Sequence, residues 1–378
     1  MLQHPAFPTA IWQLQPDRSG TAPVAESRGG PINICWEVHG EGPIKLIVSC
    51  ITPPPSPGQI PKTPHQFVMG LGGLKSAWQR QTLHFGHERR DRYSVLVIDN
   101  RGMGNSDKPL MRYSSSEMAL DVVDILSHID WLPPSPLSAP PTPPSRTLHI
   151  SGISLGGMIA QEIACLIPSY ISSLSLCCTA AAIENTTTFV ENMSNRISML
   201  VPKSVDRSVR DAGLSIFPAT FLAAPDDAHL PSPSTTPKCL PPAPHPSCPH
   251  APGKEYAHFP TNGHRYVAQE MHKRLDPVHF GVKGFLLQLI AAGWHYKSPQ
   301  QLAEMAEKVG RERILVMHGT ADKMISPPHG KKLMEYVQPG VGLMIEEMGH
   351  APIVERWEWF NKTIDEMCEL GEKLDGRA

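Results

Sequence analysis

Two rhythms alternate along the chain. Tyr93-Ser-Val-Leu-Val-Ile-Asp99 is a short continuous apolar run ending in turn residues, the pattern of a strand buried on both faces of a parallel sheet. Downstream, Ser114 and Glu117 have capping-box spacing, and Met118, Val122, Ile125, Leu126 and Ile129 fall at helical intervals, so the spacing predicts an amphipathic helix over 115–131. The alternation repeats with a strand over 147–153, a helix over 155–167 stopped at Pro168, and strands over 171–179, 313–317 and 343–346. A last helix is expected from about residue 354 to 374. Upstream, Asn33–Val38 and Ile44–Val48, separated by His39-Gly-Glu-Gly-Pro43, read as two strands joined in a hairpin. Strands alternating with helices predict an α/β fold, a mostly parallel sheet covered on both faces, whose ligands bind beyond the carboxyl ends of the strands.

Residues 185–312 break that rhythm. They carry helical apolar spacing at Phe189, Met193, Ile197 and Leu200, and again at Phe285, Leu286, Leu289 and Ile290, without a convincing strand. This predicts a helical insertion that divides the core into residues 31–184 and 313–378. Residues 1–30 lack apolar periodicity and read as a flexible lead-in. Proline supplies 40 of the 378 residues, about twice its usual share of roughly 5%. The excess gathers in blocks at 49–66 and 133–145 and within 225–260, a composition that disfavours helix and sheet interiors and predicts extended loops, the last a disordered part of the insertion. The first block is oddly placed, because deleting it would join Ile44-Lys-Leu-Ile-Val48 to Phe67-Val-Met69 as one buried strand. It is either a bulging surface loop or translated non-coding sequence.

Charge narrows the partners. Lys and Arg number 34 against 36 Asp and Glu, a formal charge of −2 with no basic run and no acidic tail, which argues against nucleic acid or an anionic membrane and for a small-molecule partner. Prolines interrupt the N-terminus where a signal peptide needs an apolar core, and no later run approaches the roughly 18 apolar residues of a spanning helix, so a soluble, cytoplasmic protein is expected. The eight cysteines show no framework spacing and fit a reducing compartment.

The candidate chemistry lies where the strand at 147–153 meets the next helix. Gly152-x-Ser154-x-Gly156 brackets one hydroxyl with residues small enough to let a sharp turn project it. The Leu155 N–H at the helix start would face an oxyanion bound at Ser154. A serine nucleophile needs a base and an acid to orient it. His350 follows the last predicted strand, and Asp322 follows the strand before it, so the order is Ser, Asp, His.

Four motifs in order carry a resemblance: Met69-Gly-Leu-Gly-Gly73, Asp99-Asn-Arg-Gly-Met-Gly-Asn-Ser106, the serine elbow, and the Asp322 and His350 segments. With them the sequence resembles the α/β-hydrolase superfamily from Ile32 to the C-terminal helix, apart from the Pro-rich blocks. The resemblance implies that Leu71 gives the second oxyanion N–H, although this chain has Met69 where the family usually has histidine, and that residues 185–312 correspond to a lid. It implies no cofactor. A serine at the elbow points to acyl chemistry, first to hydrolysis of a carboxylic ester of a small, largely apolar substrate. Acyl transfer, or cleavage of an amide or carbon–carbon bond, would use the same residues, and a binding protein or sensor of slow turnover is the reading from another class. Gly70-Leu-Gly-Gly imitates a dinucleotide fingerprint but has Lys75 where helix packing needs glycine. Cys239, His245, Cys248 and His250 match no usual zinc spacing, so no metal is expected. Asp99 and Arg101 are expected to brace their turn.

Overall fold

The computed structural model describes residues 1–47, 65–68, 73–138, 141–184 and 204–377. Its centre is a nine-stranded, mostly parallel sheet. From one edge the order is β11 (Val341–Ile345), β10 (Ile314–Gly319), β8 (Ile171–Cys177), β7 (Leu148–Ile153), a lane occupied by β4 (Ile44–Ile47) and β5 (His65–Val68), then β6 (Tyr93–Ile98), β3 (Ile32–His39) and β2 (Arg18–Val24). Strands β4 to β11 in this sheet run parallel, while β3 pairs antiparallel with both β6 and β2. A separate short pair joins β1 (Gln13–Leu14) to β9 (Cys239–Leu240). The helices are α1 (Ser115–His128), α2 (Leu155–Leu166), α3 (Val205–Ile216), α4 (Asn262–Arg274), α5 (Val282–Gly293), α6 (Pro299–Val309), α7 (Pro327–Val337) and α8 (Trp357–Leu374), with shorter turns between them.

Strand pleating explains why the central strands read as unbroken apolar runs. Leu96 and Ile98 of β6, Ile150 of β7 and Val316 of β10 face one layer with α1, α2, α6 and α7, while Val95, Val97, Ile153 and Met317 face the other with Trp78, Phe85 and α8. Successive side chains point to opposite faces, and both faces are covered, so neither set is polar. Helix α1 begins where the capping box predicts: the Ser114 hydroxyl accepts from the Glu117 N–H at 3.1 Å.

Three expectations are revised. First, β3 and β4 do not form a hairpin, because β6 lies between them and pairs with both. The intervening glycines serve that insertion: a Cβ on Gly40 would stand 2.2 Å from the Tyr93 carbonyl oxygen, and one on Gly42 2.0 Å from the Arg92 carbonyl carbon. They let the chain cross the start of β6. Second, the lead-in contains β2, an edge strand that is paired with β3 along its whole length. Gly20 and Pro23 mask its period in the sequence, and proline is tolerated there because an outer strand has one side without a ladder. Third, the Pro-rich stretch within 225–260 has defined partners. Its β9 pairs with β1, His229 meets Glu88 at 2.6 Å, and the Tyr256 hydroxyl accepts from the Gln13 N–H at 2.7 Å and donates to the Leu240 carbonyl at 2.9 Å. Of the 49–66 block, only 65 and 66 lie within the described residues, at the start of β5; Phe189, Met193, Ile197 and Leu200 lie outside them.

No helix among the described residues is long and apolar enough to cross a membrane.

Candidate active site

The site forms at the carboxyl ends of β7, β10 and β11. A single residue, Ser154, separates β7 from α2, with φ 58° and ψ −125°, a left-handed conformation that side chains rarely adopt and that only surrounding structure can hold. Four hydrogen bonds hold it. The Ser154 N–H donates to the Cys177 carbonyl at 3.0 Å, the Thr179 hydroxyl donates to the Ser154 carbonyl at 2.7 Å, and Gly157 and Met158 donate to that same carbonyl. Gly152 is glycine because the turn folds back on it: a Cβ there would lie 2.3 Å from the Gly156 carbonyl oxygen. Gly157 lets α2 approach Thr179, whose side chain an added Cβ would meet at 2.6 Å.

Asp322 and His350 arrive on interleaved loops after β10 and β11. Ala321 donates to the Met348 carbonyl, and Gly319 lets that carbonyl come within 2.0 Å of where a Cβ would stand. The Asp322 carboxylate is buried and fully engaged. One oxygen accepts from the Met324 and Ile325 N–H groups at 2.9 and 3.0 Å, and the other lies 2.7 Å from His350 Nδ1. These bonds fix which ring nitrogen of His350 faces the acid and leave Nε2 for the cavity. His350 and Ser154 line the same cavity of about 270 Å³. Among the described residues no hydrogen bond joins the Ser154 hydroxyl to the imidazole, as is common before substrate draws such groups together. Leu155 begins α2, where N–H groups lack intrahelical acceptors. Leu71 lies outside the described residues, between β5 and Gly73.

Several residues that support this geometry escaped the sequence reading. His318, wholly buried on β10, donates from Nε2 to the Ile325 carbonyl at 2.8 Å and stands 3.4 Å from the Asp322 carboxylate. Its position four residues before the acid was the available signal. Glu355 accepts from the Gly349 N–H at 2.8 Å and so pins the loop carrying His350. Burial, reinforced by the nearby Asp322 charge, raises its carboxyl to about 7 despite that bond. The insertion also contacts the loop, since the Ile216 carbonyl at the end of α3 accepts from the His350 N–H at 2.7 Å.

Asp99 and Arg101 have structural partners. The Arg101 guanidinium makes a two-pronged bond to Asp121, both arms 2.6 Å, and its carbonyl accepts from Gln288. Asp99 accepts from the Asn105 N–H at 3.0 Å and packs where a side chain on Gly104 would collide with it. The Cys239, His245, Cys248 and His250 segment forms no group of three or more potential ligands among the described residues.

The remaining walls of the cavity come equally from the insertion and the core. Ala212, Ile216 and Phe217 face Ile153, Ile353 and Val354 from the core, and a polar face of α4 closes one side.

Comparison with known proteins adds a lineage to this geometry. A model of the alpha/beta hydrolase family matches residues 65–363. Over 126 residues the chain is 30% identical to 3-oxoadipate enol-lactonase 2 of Acinetobacter baylyi, a match covering 33% of this chain and 40% of that one. Over 150 residues it is 23% identical to a putative carbamate hydrolase of Azorhizobium caulinodans, covering 40% and 42%. The chain thus spans less than half the length of these curated relatives. Among solved structures, a thermophilic esterase from Thermogutta terrifontis superposes with a TM-score of 0.59 at 16% identity, covering 94% of this chain and 99% of that one. The enol-lactonase of Burkholderia xenovorans gives 0.56 at 17%, covering 92% and 99%.

Proposed function

Because the chain belongs to the alpha/beta hydrolase family, we propose that it is a serine hydrolase cleaving a carboxylic ester of a small, largely apolar substrate through an acyl-enzyme. The observation that carries this reading is the strained Ser154 facing one cavity with His350, whose far nitrogen is held by the buried Asp322 carboxylate at 2.7 Å. In the first half-reaction the Ser154 hydroxyl gives its proton to His350 Nε2 as its oxygen bonds to the substrate carbonyl carbon. The resulting oxyanion is stabilised by the Leu155 N–H at the start of α2 and, as the second donor, by the N–H of Leu71. Collapse breaks the ester bond, and the proton on His350 passes to the departing alcohol. Water then gives a proton to His350 as its oxygen attacks the acyl carbon, and the proton returns to Ser154 when the acid leaves. Asp322 stays ionised throughout and stabilises the imidazolium.

The walls contributed by α3 and α4 support a lid role for the insertion, which would choose the acyl group and exclude bulk water. The names lactonase, carbamate hydrolase and esterase carried by similar proteins describe hydrolysis at an acyl carbon and support the same chemistry.

The test is a fluorophosphonate probe together with a panel of p-nitrophenyl esters of increasing chain length. The full chain should be labelled and turn over at least one short ester, and Ser154→Ala should do neither. A folded wild-type protein that is neither labelled nor active on any ester would end this reading in favour of a binding protein.

A further inference from the structure

Amphipathic helices turn apolar residues inward, and α4 departs from that rule where it meets the cavity. Tyr266, Gln269, Glu270, Lys273 and Arg274 follow the i, i+3, i+4, i+7, i+8 spacing of one helical face, and all five line the cavity that holds Ser154. The other walls are mostly apolar, and Glu270 is the sole acidic residue among the described lining residues. Its carboxylate is shared by two cations, Lys273 Nζ at 2.5 Å and Arg274 Nε at 3.2 Å. Burial would push the Glu270 carboxyl up, but the two cations hold it below its ordinary range, so it is ionised and the cluster keeps one net positive charge. Arg274 also donates to the Ser208 hydroxyl at 2.9 Å. Bonds to described residues use two of the five N–H donors of Arg274 and one of the three of Lys273.

A second observation points the same way. Tyr266 is 9% exposed, and its hydroxyl is buried without a hydrogen-bond partner among the described residues. A buried hydroxyl with no partner is costly, and such groups in native folds are commonly completed by a ligand or an ordered water. The ring position is built with care: it packs edge-on against Phe217 at 5.4 Å, and Gly213 is glycine where a Cβ would come within 2.8 Å of it. Burial keeps the phenol protonated, and therefore a donor.

From these two observations we infer that the inward face of α4 is a subsite for a carboxylate carried by the acyl substrate, received by Lys273, Arg274 and the Tyr266 hydroxyl within the cavity of Ser154. This rests on the proposed serine hydrolase in naming the ligand a substrate, but the subsite binds whether or not Ser154 turns it over. The substrate class is thereby narrowed to half-esters and related acyl compounds of short dicarboxylic acids. The apolar walls hold the chain between the two ends, and Glu270 keeps the two cations in place while the subsite is empty.

Binding is measured on Ser154→Ala by calorimetric titration with monomethyl glutarate, and with dimethyl glutarate as its uncharged counterpart. The monoester should bind at least about tenfold more tightly, the worth of one charge-assisted hydrogen bond. Tyr266→Phe in that background leaves the ring in place and should weaken the monoester about fivefold without lowering the melting temperature of the free protein. Lys273→Gln with Arg274→Gln should abolish the preference, and Glu270→Gln, which removes the competing carboxylate, should strengthen it. Equal affinity for the two esters, or a preference that survives the double substitution, overturns the subsite. Failure of the fluorophosphonate and ester assays with these binding results intact would overturn the hydrolase and leave the subsite standing.

Discussion

The lane between β6 and β7 holds two pieces of chain where one would serve. Leu46 and His65 both align with Val95 and His149, and Ile47 and Gln66 both align with Leu96. The halves β4 and β5 therefore overlap at two levels, offset by 19 positions in the chain, and a lane between two neighbours has room for one residue per level. Removing residues 48–66 joins Ile47 to Phe67 and keeps Phe67 opposite Ser151, its present partner. The link from Ile47 to His65 is some 17 residues, and closing it costs about 2.5 kcal/mol by the logarithmic loop-entropy relation. The shortened chain should be more stable by about that amount, with a melting temperature higher by roughly 3 °C. Deleting only 49–66 leaves one residue too many and turns every later side chain of the strand to the opposite face, so that variant should be less stable than the shortened chain by several kcal/mol. Thermal and urea unfolding of the three proteins measure this, with fluorophosphonate labelling as a check on the elbow. A 48–66 deletion that melts at or below the full-length chain, or a 49–66 deletion as stable as it, would refute the shared-lane reasoning.

Two further outcomes follow from the site. Gly152→Ala places a Cβ 2.3 Å from the Gly156 carbonyl oxygen, so it should cost about 3 kcal/mol in urea unfolding and abolish probe labelling; a variant as stable as the parent would contradict the packing account of the elbow. Glu355 titrates near 7 in the folded protein because it is buried, above the roughly 4.3 of an exposed glutamate. Between those values the unfolded chain has lost its proton while the folded one keeps it, so this group's contribution to stability falls as pH rises and levels off above about 7. The stability of Glu355→Gln relative to the parent should therefore rise from pH 4 to pH 8, and a constant difference would refute the raised carboxyl.

What could be read from the sequence was what local chemistry writes locally. The elbow glycines, the capping box at Ser114 and the apolar runs of β6, β7 and β10 each constrain neighbours a few residues away, and each element appears where its pattern lies. Contacts made over long separations left no such mark. The glycines after His39 looked like a hairpin turn because the strand they admit, β6, comes some fifty residues later. Thr179 holds the Ser154 carbonyl across 25 positions by a single hydrogen bond, and even the bond from Gly349 to Glu355, six positions apart, follows no spacing rule. His318 differs, since it stood in plain view four residues before Asp322, and only its burial reveals what it does. The polar face of α4 carries a helical period without apolar residues, so apolar spacing gave no reading of it, and only the cavity shows what it faces.

The bond from the His350 N–H to the Ile216 carbonyl makes the insertion and the imidazole loop a single mechanical piece. Gly349 tightens the joint, since any larger residue there would drive the α3 end away from it. An outward shift of the α3 end would therefore strip the loop of an anchor at the same moment, and its return would restore the anchor. While that bond holds, neither the end of α3 nor the loop bearing His350 shifts without the other.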